Sequence, residues 1–98
     1  REIARFPSVR RDLAVVVPQA IPASQVLATM VAASGSHLKE CFVFDEFVGK
    51  GLPEGTRSLA MGLILQDESR TLTDAEVEQV SAAAVSALDM ELGAKLRS

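Results

Sequence analysis

The chain has no tryptophan and no tyrosine, and only one histidine and one cysteine among its 98 residues. With His37 alone, neither a multi-histidine metal site nor a hydrolytic triad can be assembled. Placed between Ser36 and Leu38 just ahead of a strand, His37 reads as a surface or boundary residue. A single cysteine, Cys41, excludes an internal disulfide and fits a reducing cytoplasm. It has no histidine partner within sequence reach, so a structural thiol is expected. No apolar run approaches the ~20 residues that span a bilayer, and no signal-peptide pattern opens the chain. The expectation is a cytoplasmic protein with no membrane partner. Arg1 is not an initiator methionine, which predicts a piece of a longer protein. The stretch Gly49-Lys-Gly51 lacks the spacing of a phosphate loop and joins two strands. Asp45 and Glu46 are adjacent on a strand, point to opposite faces and cannot work as a carboxylate pair. By itself the domain is not expected to be an enzyme.

Hydrophobic residues make up 48% of the chain and charged ones 23%, the balance of one folded domain, 1–98, and not of a disordered chain. A domain of this size buries roughly 60–70% of the surface its unfolded chain exposes. The net charge of −3 argues mildly against a nucleic-acid partner, but the charges are unevenly placed. Arg1, Arg5, Arg10 and Arg11 outnumber Glu2 and Asp12 near the start. Asp67, Glu68, Asp74, Glu76, Glu78, Asp89 and Glu91 face only Arg70 later on. A cationic rim can therefore coexist with an acidic total.

Residues 41–66 organise the rest. Two alternating apolar runs flank a loop holding Gly49, Gly51, Pro53 and Gly55, the pattern of a β-hairpin with a long connection. Strict alternation puts Phe42, Phe44, Leu59, Met61, Leu63 and Leu65 on a core face. It leaves Val43, Asp45, Phe47, Ser58, Ala60, Gly62 and Ile64 on the other, with Cys41 on that side too. The second set is mostly small, a shelf on which something planar could rest. Upstream, residues 1–10 contain Pro7 and read as an extended arm, and 11–98 as the core domain. Arg11–Val17 alternates and is β-branched, hence a strand with Leu13, Val15 and Val17 inward and Asp12, Ala14 and Val16 on the shelf side. Pro22 opens a helix whose stripe is Val26, Leu27, Met30 and Val31, and Gly35 closes it. Thr73-Asp-Ala-Glu76 is a capping box. The helix it starts runs to about Leu92, burying Val77, Val80, Ala84, Leu88 and Leu92. Gly93 ends it, and Ala94–Arg97 has the length of a closing edge strand.

The order β-α-β-β-α-β predicts an α+β, ferredoxin-like sandwich: a four-stranded antiparallel sheet with two helices on one face. The other face is left bare. In this topology the first and third strands are central and the second lies beside the third, so Ala14, Ser58, Ala60, Asp45 and Phe47 become neighbours. The expected register sets Phe47 opposite Ser58 and Asp45 opposite Ala60. A ring among small residues offers its π-face, as in sheets on which single-stranded RNA bases stack. A second small cluster packed under the N-terminal arm is the bland alternative for Phe47.

Four segments carry a resemblance: Phe6–Val17, Phe44–Gly55, Ser58–Ala60 and Asp67–Glu76. Together, and in this order, they resemble the ferredoxin-fold anticodon-binding domain that ends the beta subunit of bacterial phenylalanyl-tRNA synthetases. The likeness covers about Arg5 to Arg97. It implies a tRNA(Phe) anticodon as partner, with its first base set against the open sheet face. It also implies a parent (αβ)₂ heterotetramer, in which the rest of the beta subunit and the alpha subunit are partners. ATP and magnesium then belong to the parent enzyme, whose catalytic site lies in the alpha subunit, and no cofactor to this domain. The family's contact positions match Ala14, Asp45, Phe47 and Ser58, the residues that parity places on the shelf. Relatives often carry Tyr where this chain has Phe47, so any phenol hydrogen bond is lost while stacking survives. Arg10, Lys50 and Arg57 border the shelf and are candidates for phosphate contacts, with ordinary surface charge as the competing reading. A ligand-sensing or protein–protein interaction module is the rival function, since fold does not fix function. Such modules commonly place glycine after the first strand, where this chain reads Pro18-Gln-Ala-Ile-Pro22.

Overall fold

The computed structural model describes residues 6–97. The elements run β1 (Val9–Pro18), α1 (Ala23–Ser34), β2 (Leu38–Phe47), β3 (Thr56–Leu65), α2 (Asp74–Leu92) and β4 (Lys95–Leu96). This is the predicted βαββαβ order. The strands form one antiparallel sheet in the order β2-β3-β1-β4. Of the proposed arm, residues 1–5 lie outside the described residues, and β1 starts at Val9, earlier than the alternation alone suggested. Phe6 is tied down through its carbonyl, which accepts from Gln66 Nε2 at 2.6 Å.

The core sits between the sheet and both helices. Leu13, Val15 and Val17 from β1 and Leu59, Met61, Leu63 and Leu65 from β3 meet Val26 and Met30 of α1 and Val77, Ala84 and Leu88 of α2. Leu27, Val80 and Leu92 pack at its margin, but Val31 is exposed, so the stripe of α1 is narrower than predicted. Both helices are therefore on one face. The capping box is formed: Thr73 Oγ1 accepts from the Glu76 N–H at 3.1 Å, and Glu76 Oε1 accepts from the Thr73 N–H at 2.8 Å. Gly93, at φ 67°, takes the left-handed turn in which its own N–H and that of Ala94 return to the carbonyls of Asp89 and Leu88.

One prediction fails in β2. Strict alternation puts Phe42 and Phe44 in the core, whereas here Val43 pairs with Met61 and packs on the core. Phe42 pairs with Gly62 on the opposite face. The register slips between Val43 and Asp45, with Phe44 the extra residue of a β-bulge. A one-residue slip inverts every side chain beyond it. Counted from the loop, Phe47 and Asp45 keep their predicted face, and everything upstream of the bulge is reversed. Cys41, expected on the shelf side, accordingly pairs with Leu63 on the helix side. Partial burial and then the neighbouring Glu40 push its thiol pKa up, which suits a structural thiol.

Two outcomes are expected. Val43→Ala lowers unfolding free energy by about 1–2 kcal/mol through lost core burial, and Phe44→Ala by less than about 1 kcal/mol; urea titrations separate them, and the reverse ranking contradicts the bulge. Glu76, bonded first by Arg70 and then by the Thr73 amide, is pulled down to about 2 from an ordinary 4.5. A depressed folded-state pKa means that its contribution is complete above about pH 4.5 and is lost as pH falls toward 2. Stability measured between pH 6 and pH 2 should therefore fall less steeply in Glu76→Gln than in the unsubstituted chain.

Candidate nucleic-acid interface

The uncovered face of the sheet carries Arg10, Asp12, Ala14 and Val16 from β1, and Ser58, Ala60, Gly62 and Ile64 from β3. Across β3, Phe47 stands opposite Ser58 and Asp45 opposite Ala60; across β1, Val16 meets Ser58 and Ala14 meets Ala60. The registers thus bring Ala14, Asp45, Phe47 and Ser58 together on three adjacent strands, as the strand pattern predicts. Their accessibilities differ. Asp45 is exposed and Ala14 half-buried, the Phe47 ring is 41% exposed and Ser58 only 4%. Ser58 is floor more than contact, because the side chains opposite it on both flanks are larger.

The Phe47 ring is not bare. The guanidinium of Arg97 lies 5.4 Å from its centroid. The Arg97 amide donates to the Ala14 carbonyl at 2.7 Å, which fixes that residue at the end of β4 beside β1. Small residues along the middle of the sheet leave the space across which a long side chain from one edge reaches a ring from the other. Sequence reading missed Arg97, because only the β4 pairing places it beside this face.

The candidate phosphate contacts separate. Arg10 is on the open face: its Nε donates to Asp12 Oδ1 at 2.7 Å, and its guanidinium lies 5.2 Å from the Phe42 centroid and 5.3 Å from that of Phe44. Lys50 is exposed in the loop between β2 and β3. Arg57 does not border the shelf. It pairs with Val17 on the helix side, its guanidinium donates to the Ile21 carbonyl at 2.9 Å, and Glu46 lies 3.5 Å from its Nε. Strand parity alone sends it there, since Arg57 is out of phase with Ser58.

His37 bridges the start of β2 to the segment after β3, with Nε2 3.0 Å from Asp67 Oδ2. Hydrogen bonds from the Ser69 backbone and hydroxyl, and then from His37, hold the Asp67 carboxyl well below the usual carboxylate range. This cluster braces a loop away from the open face. A groove of about 500 Å³ lies between α2 and β1, lined by Leu13, Val85 and Leu96 with Arg11 and Glu78 at its rim. Among the described residues, no group of His, Cys, Asp and Glu is arranged to hold a metal ion, and no helix is long and apolar enough to cross a membrane.

A family model described as the ferredoxin-fold anticodon binding domain matches residues 4–97. The chain belongs to that family. Among similar curated proteins is the phenylalanine–tRNA ligase beta subunit of Xanthomonas axonopodis pv. citri, 50% identical over 97 residues, covering 99% of this chain and 12% of the relative. The beta subunits of Xylella fastidiosa and Nitrosospira multiformis are 45% and 41% identical, over 98% and 99% of this chain. In each case the match covers 12% of the relative's length, so this anticodon binding domain corresponds to a small part of those subunits.

The ring and the acid on this face are separable by truncation. Because Phe47 is 41% exposed and outside the core cluster, Phe47→Ala is expected to cost less than about 1 kcal/mol in urea unfolding. It is therefore usable as a binding variant.

Proposed function

We propose that this domain holds the anticodon of a phenylalanine tRNA on its open sheet face, as part of a phenylalanine–tRNA ligase beta subunit. The observation that carries the reading is the cross-strand group of Phe47, Asp45, Ser58, Ala60 and Ala14, on a surface with no helix over it. Phe47 stacks on the first anticodon base, a contact of ~1–3 kcal/mol by truncation. Asp45, an acceptor only, takes hydrogen bonds from the N1–H and N2–H₂ of a guanine. Ala14 and Ala60 keep the floor low enough for a planar base, with Ser58 beneath. Arg97 occupies part of the ring in the free domain, and a cation on an exposed ring contributes only ~0.5–1 kcal/mol. Base stacking contributes more, so the base takes the ring and the released guanidinium can meet a phosphate. Arg10 and Lys50 are the further phosphate contacts; Arg57, engaged on the other side, drops out.

Aminoacylation, with ATP and magnesium, is assigned to the catalytic alpha subunit of the proposed (αβ)₂ parent enzyme, and no residue here takes part in it. The remainder of the beta subunit is a further partner on this reading, and the cytoplasm the compartment.

Titration of a phenylalanine tRNA anticodon stem-loop into the domain should show weak binding that falls steeply as salt rises. Phe47→Ala should weaken it roughly 5- to 100-fold, and equal binding removes the stacking role. Asp45→Asn should reduce the preference for guanine over adenine at the first anticodon base; an unchanged preference means another group reads it.

A further inference from the structure

The open face carries a second aromatic group that the anticodon-base site does not use. Upstream of the bulge, Phe42 and Phe44 share this face, with centroids 6.4 Å apart and planes tilted by 55°. Phe42 lies over Gly62: a Cβ at that position would meet the ring at 2.7 Å, so only glycine admits this close approach. Phe44 is 50% exposed, so about half of its surface stays open to solvent although Phe42 and Arg10 lie beside it. Arg10 stands over both rings and is fixed by Asp12 through Nε. A guanidinium has five N–H donors, and the bond to Asp12 uses one. Its other donors have no acceptor among the described residues.

We propose that Phe44, with Phe42 and Arg10, forms a second nucleotide station on this face, taking an unpaired RNA base that neighbours the one at Phe47. Phe44 supplies the stacking surface, and Arg10 donates to that nucleotide's phosphate. The inference rests on the reading of the open face as an anticodon platform. Three features select single-stranded RNA as the occupant. The rings alternate with a cation, the arrangement that binds bases and backbone together. The station is continuous with Asp45, which directly follows Phe44 in the chain. Phe42 and Phe47 face Gly62 and Ser58, four ladder steps apart, or roughly 13 Å. One base plane cannot cover that span, but successive nucleotides can.

The test is a mutant cycle on the stem-loop. Binding of the domain and its Phe44→Ala, Phe47→Ala and Arg10→Ala variants is measured with an intact loop and with loops made abasic at each position in turn. Unfolding curves confirm that every variant is folded. Phe44→Ala should weaken the intact loop roughly 5- to 100-fold. That loss should vanish with an abasic residue at one loop position other than the first anticodon base. Arg10→Ala should lower the salt slope by about one, and Arg10→Lys should restore it. If Phe44→Ala binds like the unsubstituted domain while Phe47→Ala is weakened, the second station is wrong and the first stands. A Phe44→Ala loss of the same size with every abasic loop also overturns the station, because the ring then acts only through the protein. If Phe44→Ala and Phe47→Ala both leave binding unchanged, the anticodon reading itself fails.

Discussion

Ten consecutive antiparallel pairs between β1 and β3, from Val9–Leu65 to Pro18–Thr56, hold this molecule together. They are unbroken by any bulge, so parity is kept along the whole centre of the sheet. One face of those two strands is Leu13, Val15, Val17, Leu59, Met61, Leu63 and Leu65, all buried. The helices pack there because it is the large apolar surface available to them. The other face carries Ala14, Ala60, Gly62 and Ser58, which are too small to anchor a helix. A sheet with one greasy and one small-residue side is driven to cover only the first. The open face is thus a consequence of core formation.

Around that rigid centre, β2 is the adaptable strand. Its irregularities at Lys39 and Phe44 adjust a strand that both contributes to the core and lines the open face. The bulge lets Val43 fill the core while Phe42, Phe44, Asp45 and Phe47 all address the open side. Simple alternation could not put four of these six residues on one face. Bulges recur where a strand must re-aim side chains, and this one concentrates three of the chain's four phenylalanines where no helix covers them. Each ring is met by an arginine: Arg10 for Phe42 and Phe44, Arg97 for Phe47. The domain is acidic overall at −3, and the open face is mixed in charge: Arg10 and Arg97 stand at the rings, with Asp12, Glu40 and Asp45 on the same side of the sheet.

Four acidic residues are engaged elsewhere. Glu76 is divided between Arg70 and the cap of α2, and Asp67 between Ser69 and His37. Lys95 holds Asp89, and Arg11 approaches Glu78. These contacts surround α2 and its preceding loop. They keep Asp67, Glu76, Glu78 and Asp89 away from the ring-bearing surface, so the net charge of the chain does not describe the local charge of the open face.

How far this was legible follows from the range of each signal. Element order, the α2 cap, the closing glycines and the core faces of β1 and β3 were readable because each depends on residues within a few positions, or on a strict period of two. The register of Phe47 and Asp45 was also readable, since it is counted from the loop over a stretch without irregularity. The bulge was not, because a strand's own residues do not say where its partner skips one. Gly62 was the available clue: a glycine inside a strand signals a close neighbour, and that neighbour is Phe42. By itself the sequence determined a two-sided sheet, two helices and the Asp45–Phe47 pair on the exposed side. Only the tertiary structure decided that Phe42 and Phe44 join them, that Arg57 leaves, and that Arg10 and Arg97 cover the rings. Those outcomes are set by pairing between strands distant in the chain, which places Val43 opposite Met61 on the core side and Phe42 opposite Gly62 on the open side.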